Sequence, residues 1–246
     1  MLVDLYILIL IAVITYNLSD KYITGMLTSR CTSNKYELIL GHDILRKKIT
    51  LNLKEFPSLS ITGVTNCGKS CLVNTALMRN KADKVLLNAY DEDYKNIYFK
   101  KRITEADQIE AYLDYLLEID RLDHFTIIVI DEALSLTAYK KINEKLKVLL
   151  SKNRHKNCAI VLLFQELNKT IVPYKSLIAA RLTMRLLQQS DYQSALGTSL
   201  DTPVALQNRE FILVSNNIYR GKSYNLNFWR KKHSNAVMVS TETVFT

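Results

Sequence analysis

Nine consecutive residues in the first third of the chain have the types and spacing of a loop that binds phosphate. They include the pattern GxxxxGK[ST], between an apolar run and a helical pattern, and they are Gly63, Val64, Thr65, Asn66, Cys67, Gly68, Lys69, Ser70 and Cys71. Glycines let backbone amides converge on phosphate oxygens, the lysine supplies a charge for the β- and γ-phosphates, and the serine hydroxyl can bind Mg²⁺. The pattern therefore predicts a P-loop that binds ATP with Mg²⁺, and Lys69 is a predicted catalytic residue.

Two acids end a second apolar run, about 60 residues downstream of the loop. Residues 125–130 read FTIIVI, which is typical of a buried strand, and Asp131 and Glu132 follow directly. Asp131 would orient Mg²⁺ together with Ser70, and Glu132 would polarise the attacking water. The alternative is that both acids only cap the next helix, as acids after a strand often do. The upstream loop favours the first interpretation, in which the two motifs are Walker A and Walker B.

A sheet has to bring these motifs together, and the hydrophobic pattern predicts one. Apolar, β-branched runs predict strands at 36–40, 49–53, 60–64, 85–89, 125–131, 158–164, 182–187 and 211–214. Segments of helical period lie between them, at 70–80, 104–122 and 139–153. Near-continuous apolar strands that alternate with helices are typical of a mostly parallel sheet with helices on both faces. The predicted fold class is therefore α/β.

The segments that flank both motifs share features with one known family. Residues 40–43 (LGHD) form a predicted hairpin turn, and residues 56–63 (FPSLSITG) lead into the P-loop. Residues 149–165 (LLSKNRHKNCAIVLLFQ) place Arg154 eleven residues before Gln165, and residues 181–197 (RLTMRLLQQSDYQSALG) follow. In these segments the chain resembles the FtsK/SpoIIIE family of DNA-translocating P-loop ATPases, within the FtsK/HerA superfamily. The resemblance spans about residues 38–215.

This resemblance implies a RecA-like P-loop NTPase fold, ATP hydrolysis and assembly into a homo-oligomeric ring, expected to be a hexamer. It also implies that Gln165 senses the γ-phosphate or the attacking water. Arg154 becomes a candidate arginine finger that reaches a neighbouring subunit's nucleotide. The alternative for Arg154 is a solvated or DNA-facing cation, because basic residues are favoured at a helix C-terminus. Arg181 and Arg185 are further finger candidates.

The chain departs from the family pattern at three places. One loop glycine is lost at Asn66 and Cys67, and the Arg-Pro pair that follows Gln165 in the family is absent. The acidic run 91–93 stands where the family has a lysine. Cys67, at the start of a predicted helix, is expected to have a lowered pKa and to be open to alkylation.

Composition and charge indicate further partners. The chain has 246 residues, 48% of them hydrophobic, a net charge of +9 and a pI near 9.2, which suits a polyanionic partner or an anionic membrane surface. Residues 1–18 are a candidate transmembrane or interface helix, because only Thr15 interrupts the apolar run 5–16. We expect a neck at 19–35, the ATPase domain at 36–220 and a basic tail at 221–246. A spanning helix would place the body on the cytoplasmic face of a membrane with the N-terminus outside. The alternative is a cytoplasmic protein.

These features together predict an ATP-driven motor that translocates double-stranded DNA in a phage, plasmid or other mobile element. Its process would be genome packaging, conjugative transfer or phage DNA export, with a capsid, relaxase or secretion-channel partner. The alternative is a membrane-associated ATPase for phage morphogenesis or protein secretion. An interaction protein that binds nucleotide without turnover is disfavoured by Glu132.

Overall fold

The computed structural model describes residues 34–89, 91–167, 172–200 and 204–224, together with Ile7, Leu10 and Ile11. The chain divides into a body, Ser33–Ser223, and a second unit made of Met1–Thr32 and Tyr224–Thr246. Most of the predicted N-terminal helix, the neck up to residue 33 and the tail from residue 225 lie outside the described residues. In the described part of the chain, no helix has both the length and the apolar composition that crossing a membrane requires.

The strands of the described body form one sheet of ten, in the order β2-β1-β10-β9-β8-β3-β7-β6-β4-β5. Their bounds are β1 Glu37–His42, β2 Lys48–Asn52, β3 Ser58–Thr62, β4 Asp83–Leu87, β5 Lys101–Ile103, β6 Thr126–Ile130, β7 Cys158–Phe164, β8 Ala180–Thr183, β9 Glu210–Val214 and β10 Ile218–Lys222. The run from β8 through β3, β7, β6 and β4 to β5 is parallel. The remaining pairings, from β8 through β9, β10 and β1 to β2, are antiparallel. The predicted mostly parallel α/β sheet is therefore confirmed.

Helices cover both faces of this sheet. They are α1 Lys69–Leu77, α2 Ala106–Glu118, α3 Lys140–Lys152 and α4 Gln189–Leu196. Successive residues of β6 alternate between two buried clusters, with Ile127 in the cluster that contains α1 and Ile128 in the cluster that contains the other helices. Each fully buried aliphatic side chain contributes about 1.5–3 kcal/mol to this packing. Because both faces are covered, β6 and β7 are almost entirely apolar, whereas β3 buries Ser58, Ser60 and Thr62 between its apolar residues.

Three elements escaped the sequence-based prediction. The edge strand β5 has only three residues and two of them are exposed and basic, so it carries no hydrophobic period. Helix α4 has the largely polar sequence QSDYQSAL. The last strand, β10, reads IYRGK and is mostly exposed. This strand crosses residue 221, at which the sequence pattern placed the start of the basic tail.

Two glycines allow β1 and β10 to lie side by side. A Cβ atom on Gly41 would overlap the carbonyl group of Lys222, and one on Gly221 would stand 2.9 Å from the carbonyl oxygen of His42. The register of this pairing places His42 opposite Lys222. The glycine of the predicted hairpin turn is therefore needed for close strand approach at this junction.

Candidate nucleotide-binding site

The predicted P-loop connects β3 to α1, and its glycines have structural reasons to be glycine. Gly68 has φ of 108°, a conformation that side chains with a Cβ rarely adopt. Asn66 also has positive φ, 62°, which asparagine tolerates better than most residues. A Cβ on Gly63 would stand 2.6 Å from Cys67 Sγ and 3.1 Å from Met184 Cβ, so only glycine fits there.

Backbone hydrogen bonds fix the loop beside three other strands. The Gly63 amide donates to the Phe164 carbonyl, at the end of β7, at 3.2 Å. The Val64 amide donates to the Arg185 carbonyl, just after β8, at 3.0 Å. The Arg209 amide, just before β9, donates to the Cys67 carbonyl at 3.0 Å. The loop is therefore held on both sides of β3.

Lys69 lies at the start of α1 and is bound to its own loop. Its ammonium donates to the carbonyl oxygens of Gly63 at 2.7 Å and Val64 at 3.1 Å. An ammonium has three N–H donors, so these bonds leave one donor for a phosphate oxygen. The first amides of a helix also lack partners within the helix and attract anions. The start of α1 is therefore suited to bind phosphate.

Asp131 is a buried carboxylate with fixed orientation at the end of β6. It is 6% exposed, its Oδ2 accepts a 2.9 Å hydrogen bond from the Tyr94 hydroxyl, and its Oδ1 accepts one of 2.9 Å from the Glu132 amide. Burial raises the pKa of Asp131, and these two hydrogen bonds oppose the rise. A buried carboxylate held in this way is suited to bind a cation.

Glu132 has a strained backbone that Asn88 supports. Its φ is 45°, a left-handed conformation that costs on the order of 1 kcal/mol for a residue with a Cβ. The Asn88 side-chain amide donates to the carbonyls of Asp131 at 3.0 Å and Glu132 at 3.1 Å. These bonds stabilise the turn that places Glu132 beside the P-loop.

Both motifs line one cavity of about 410 Å³. The lining contains most of the predicted site residues and is formed by Thr65, Asn66, Gly68, Lys69, Ser70, Cys71, Asp93, Asp131, Glu132, Leu163, Phe164 and Gln165. The predicted residues that do not line it are Gly63, Val64, Cys67, Arg154, Arg181 and Arg185. The structure thus brings the lysine, the serine, both acids and the glutamine together, as the two motifs require.

Arg154 lies far from this cavity in the same subunit. It precedes β7 and Gln165 follows β7, so a strand of seven residues, about 20 Å long, separates them. The Arg154 Nη2 donates to the Glu55 carbonyl at 2.5 Å. Any role of Arg154 at a nucleotide must therefore concern a neighbouring subunit's site.

Arg181 makes two hydrogen bonds inside its own chain. It is half-buried and donates to the carbonyls of Leu196 at 3.0 Å and Lys175 at 3.3 Å. The first bond holds the last residue of α4, and the second holds a short 3₁₀ helix, Lys175–Leu177.

The expected reactivity of Cys67 is wrong. The side chain is 1% exposed, and burial raises the pKa of the Cys67 thiol more than the nearby Lys69 lowers it. Cys71 is partly exposed and lines the cavity instead. The start of the helix favours a thiolate, but the burial of this side chain disfavours the thiolate more strongly.

Sequence reasoning missed two residues that support the site, Tyr94 and Asn88. Burial and the adjacent Asp131 carboxylate raise the pKa of Tyr94 well above its usual range, so the hydroxyl stays protonated and donates. The sequence marks only the segment, because the acidic run 91–93 stands where the family has a lysine; it does not reveal that Tyr94 contacts Asp131. The oxygens of Ser70 and Asp131 could hold Mg²⁺, because this ion is commonly bound by one or two protein oxygens together with substrate phosphates. Ser70 and Asp131 line the same cavity, and the Tyr94 hydroxyl fixes the Asp131 carboxylate, so the two residues fit such a metal.

The order of strands places β7 between the P-loop strand β3 and the acid-bearing strand β6. This arrangement, with both motifs at one cavity, is that of a P-loop ATPase fold. Comparison with protein-family models and with curated proteins gave no match.

Solved structures do share the fold. The cytoplasmic domain of the Thermomonospora curvata type VII secretion ATPase EccC matches with a TM-score of 0.62 and 18% identity, over 79% of this chain and 29% of that one. The pCW3 conjugation coupling protein TcpA, with ATPγS, matches at 0.63 and 16%, over 83% and 70%. The genome packaging NTPase B204 of Sulfolobus turreted icosahedral virus 2, with ATPγS, matches at 0.54 and 18%, over 69% and 99%. These neighbours are P-loop ATPases of the FtsK/HerA type, so the resemblance is confirmed at the level of the fold. The chain spans under a third of EccC.

Proposed function

We propose that this protein is an ATP-driven motor that translocates double-stranded DNA. The observation that carries the proposal is the cavity in which Lys69, Ser70, Asp131, Glu132 and Gln165 meet. These are the groups that phosphoryl transfer to water needs, since the reaction depends on positioning and charge compensation. The ATP analogues bound in TcpA and B204 support ATP as the ligand.

In this proposal, five residues of the cavity act in binding or hydrolysis. Lys69 and the amides at the start of α1 bind the phosphates, and Ser70 and Asp131 hold the metal. Bound Mg²⁺ supplies positive charge to the β- and γ-phosphates. Glu132 accepts a proton from the attacking water. Gln165, at the end of β7, orients that water or senses the γ-phosphate.

DNA as the substrate is supported by charge and by the neighbours. The net charge of +9 favours a polyanion. TcpA is a conjugation coupling protein and B204 a DNA-packaging ATPase, and 99% of the B204 chain is matched. Genome packaging and conjugative transfer are therefore the processes that we favour, with a capsid or relaxase as partner.

A ring, expected to be a hexamer, would complete the active site. Arg154 cannot reach the cavity of its own subunit, about one strand length away. In a ring it would compensate phosphate charge at the neighbour's site.

We place the body on the cytoplasmic side of a membrane, where ATP is available, with residues 1–18 as the anchor. Carbonate extraction that releases the full-length protein from membranes would contradict that anchor.

A second candidate is a protein-secretion or morphogenesis ATPase. EccC is a type VII secretion ATPase, and EssC of Geobacillus thermodenitrificans matches this chain with a TM-score of 0.65 and 10% identity. Duplex DNA distinguishes the two candidates, because it should stimulate a DNA motor and leave a secretion ATPase unaffected.

The test measures ATP turnover and DNA binding with two unrelated duplexes. Turnover should rise with either duplex, and Lys69→Ala should abolish turnover in all conditions. A ring that contacts about 6 phosphates should lose roughly 10³-fold in DNA affinity between 50 and 200 mM salt. If ATP turnover does not change with DNA, and DNA affinity does not change with salt, the DNA motor is rejected and protein export is favoured.

A further inference from the structure

Tyr94 is bound to the carboxylate that would hold the metal. Its side chain is fully buried, at 0% exposure. The hydroxyl donates to Asp131 Oδ2 at 2.9 Å. The phenolic oxygen therefore holds the carboxylate at the end of β6, at the edge of the cavity that Ser70 also lines.

The position of Tyr94 is fixed by its surroundings. It ends a short 3₁₀ helix, Asp91–Tyr94, which Asn74 of α1 holds by donating to the Asp93 carbonyl at 2.6 Å. The Arg102 Nη2 donates to the Tyr94 carbonyl at 2.8 Å. The ring of Phe99 packs edge-on against the Tyr94 ring, with centroids 6.0 Å apart. The hydroxyl is thus held on Asp131 from several directions.

We propose that Tyr94 is a positioning residue for the Mg²⁺–nucleotide complex. Its hydroxyl orients the Asp131 carboxylate, so that this carboxylate meets the metal without rearrangement. Partners that orient metal ligands in this way typically account for about 10–100-fold in metal affinity or activity. The inference rests on the proposed function, because it assumes that the cavity binds ATP with Mg²⁺. A tyrosine that only filled the core would not affect the metal.

The test replaces Tyr94 with phenylalanine, which removes the hydroxyl and keeps the ring. Affinity for a fluorescent ATP analogue is measured with and without Mg²⁺, and the ratio gives the affinity gain due to the metal. Two variants are matched controls: Tyr98→Phe, at a side chain that is 83% exposed, and Tyr174→Phe, at a buried hydroxyl with no partner among the described residues. Thermal unfolding without nucleotide verifies that each variant is folded.

Tyr94→Phe should reduce the affinity gain due to Mg²⁺ by about 10-fold or more and leave metal-free nucleotide binding unchanged. Both control variants should keep the affinity gain of the wild type. In hydrolysis, it should raise the Mg²⁺ concentration for half-maximal rate. If the wild type shows an affinity gain with Mg²⁺ and Tyr94→Phe shows the same gain, the inference about Tyr94 is overturned and the proposed function is not affected. If the wild type binds no nucleotide, the proposed function fails. If Tyr94→Phe does not fold, Asn74→Ala, which frees the 3₁₀ helix, takes its place, and an unchanged gain there overturns the inference.

Discussion

Glu132→Gln is expected to separate ATP binding from ATP turnover. Among the described residues no hydrogen bond or ion pair to the Glu132 carboxylate is found, and the bonds from Asn88 reach only backbone carbonyls. Glutamine has the same size as glutamate and would have the same backbone φ of 45° at this position. The free energy of unfolding should therefore change by no more than about 0.5 kcal/mol.

The effect on catalysis should be much larger. An amide cannot accept the proton of the attacking water, and loss of a general base lowers turnover by about 10²-fold or more. This corresponds to about 2.7 kcal/mol in activation free energy. Nucleotide affinity should persist, because Lys69 and the amides of α1 contact phosphates already in the ground state.

The assay combines steady-state ATP hydrolysis, binding of a fluorescent ATP analogue and thermal unfolding. Glu166→Gln is the matched control, since this exposed carboxylate follows Gln165 directly and does not line the nucleotide cavity. The control should keep wild-type turnover. A Glu132→Gln protein with near-wild-type turnover would refute the assignment of Glu132 as the base.

Three further predictions concern the loop, the ring and the thiols. Gly68→Ala places a Cβ at φ of 108° and should destabilise the fold by about 1–2 kcal/mol, seen as a midpoint lower by about 2–8 °C in thermal unfolding. Mixing Arg154→Ala with Lys69→Ala subunits should restore turnover above either variant alone; no recovery in demonstrably mixed rings would argue against a finger acting between subunits. A thiol reagent near neutral pH should label Cys71 before Cys67, because burial raises the pKa of the Cys67 thiol and so lowers its thiolate fraction. Peptide mass spectrometry would show this order, ATP should slow labelling of Cys71, and faster labelling of Cys67 would contradict the described burial.

The sequence predicted those parts of the site whose chemistry is local. Gly68, Lys69 and Ser70 are adjacent residues of a pattern that is typical of a P-loop. Asp131 follows an apolar run whose composition is typical of a buried strand. The apolar runs also located the central strands to within a few residues. In each case a short segment contains the whole physical reason for its conformation.

The sequence did not predict features that depend on distant contacts. Tyr94 reaches Asp131 across 37 positions of the chain, and no local pattern marks such a pair. The left-handed conformation of Glu132 depends on Asn88, which directly follows another strand, β4. Strand β10 has a polar, exposed sequence, and only its pairing with β9 and β1 makes it a strand.

The junction of β1 with β10 has a consequence for biosynthesis. Strands β1 and β2 leave the ribosome early, yet β10, which joins them to the rest of the sheet, follows about 180 residues later. At about 5–20 residues per second, β1 waits roughly 10–40 s for its partner. During that time one edge of β1 offers unpaired backbone groups to other nascent chains. Chaperones that shield strand edges would therefore act on this protein mainly before its last strand is translated.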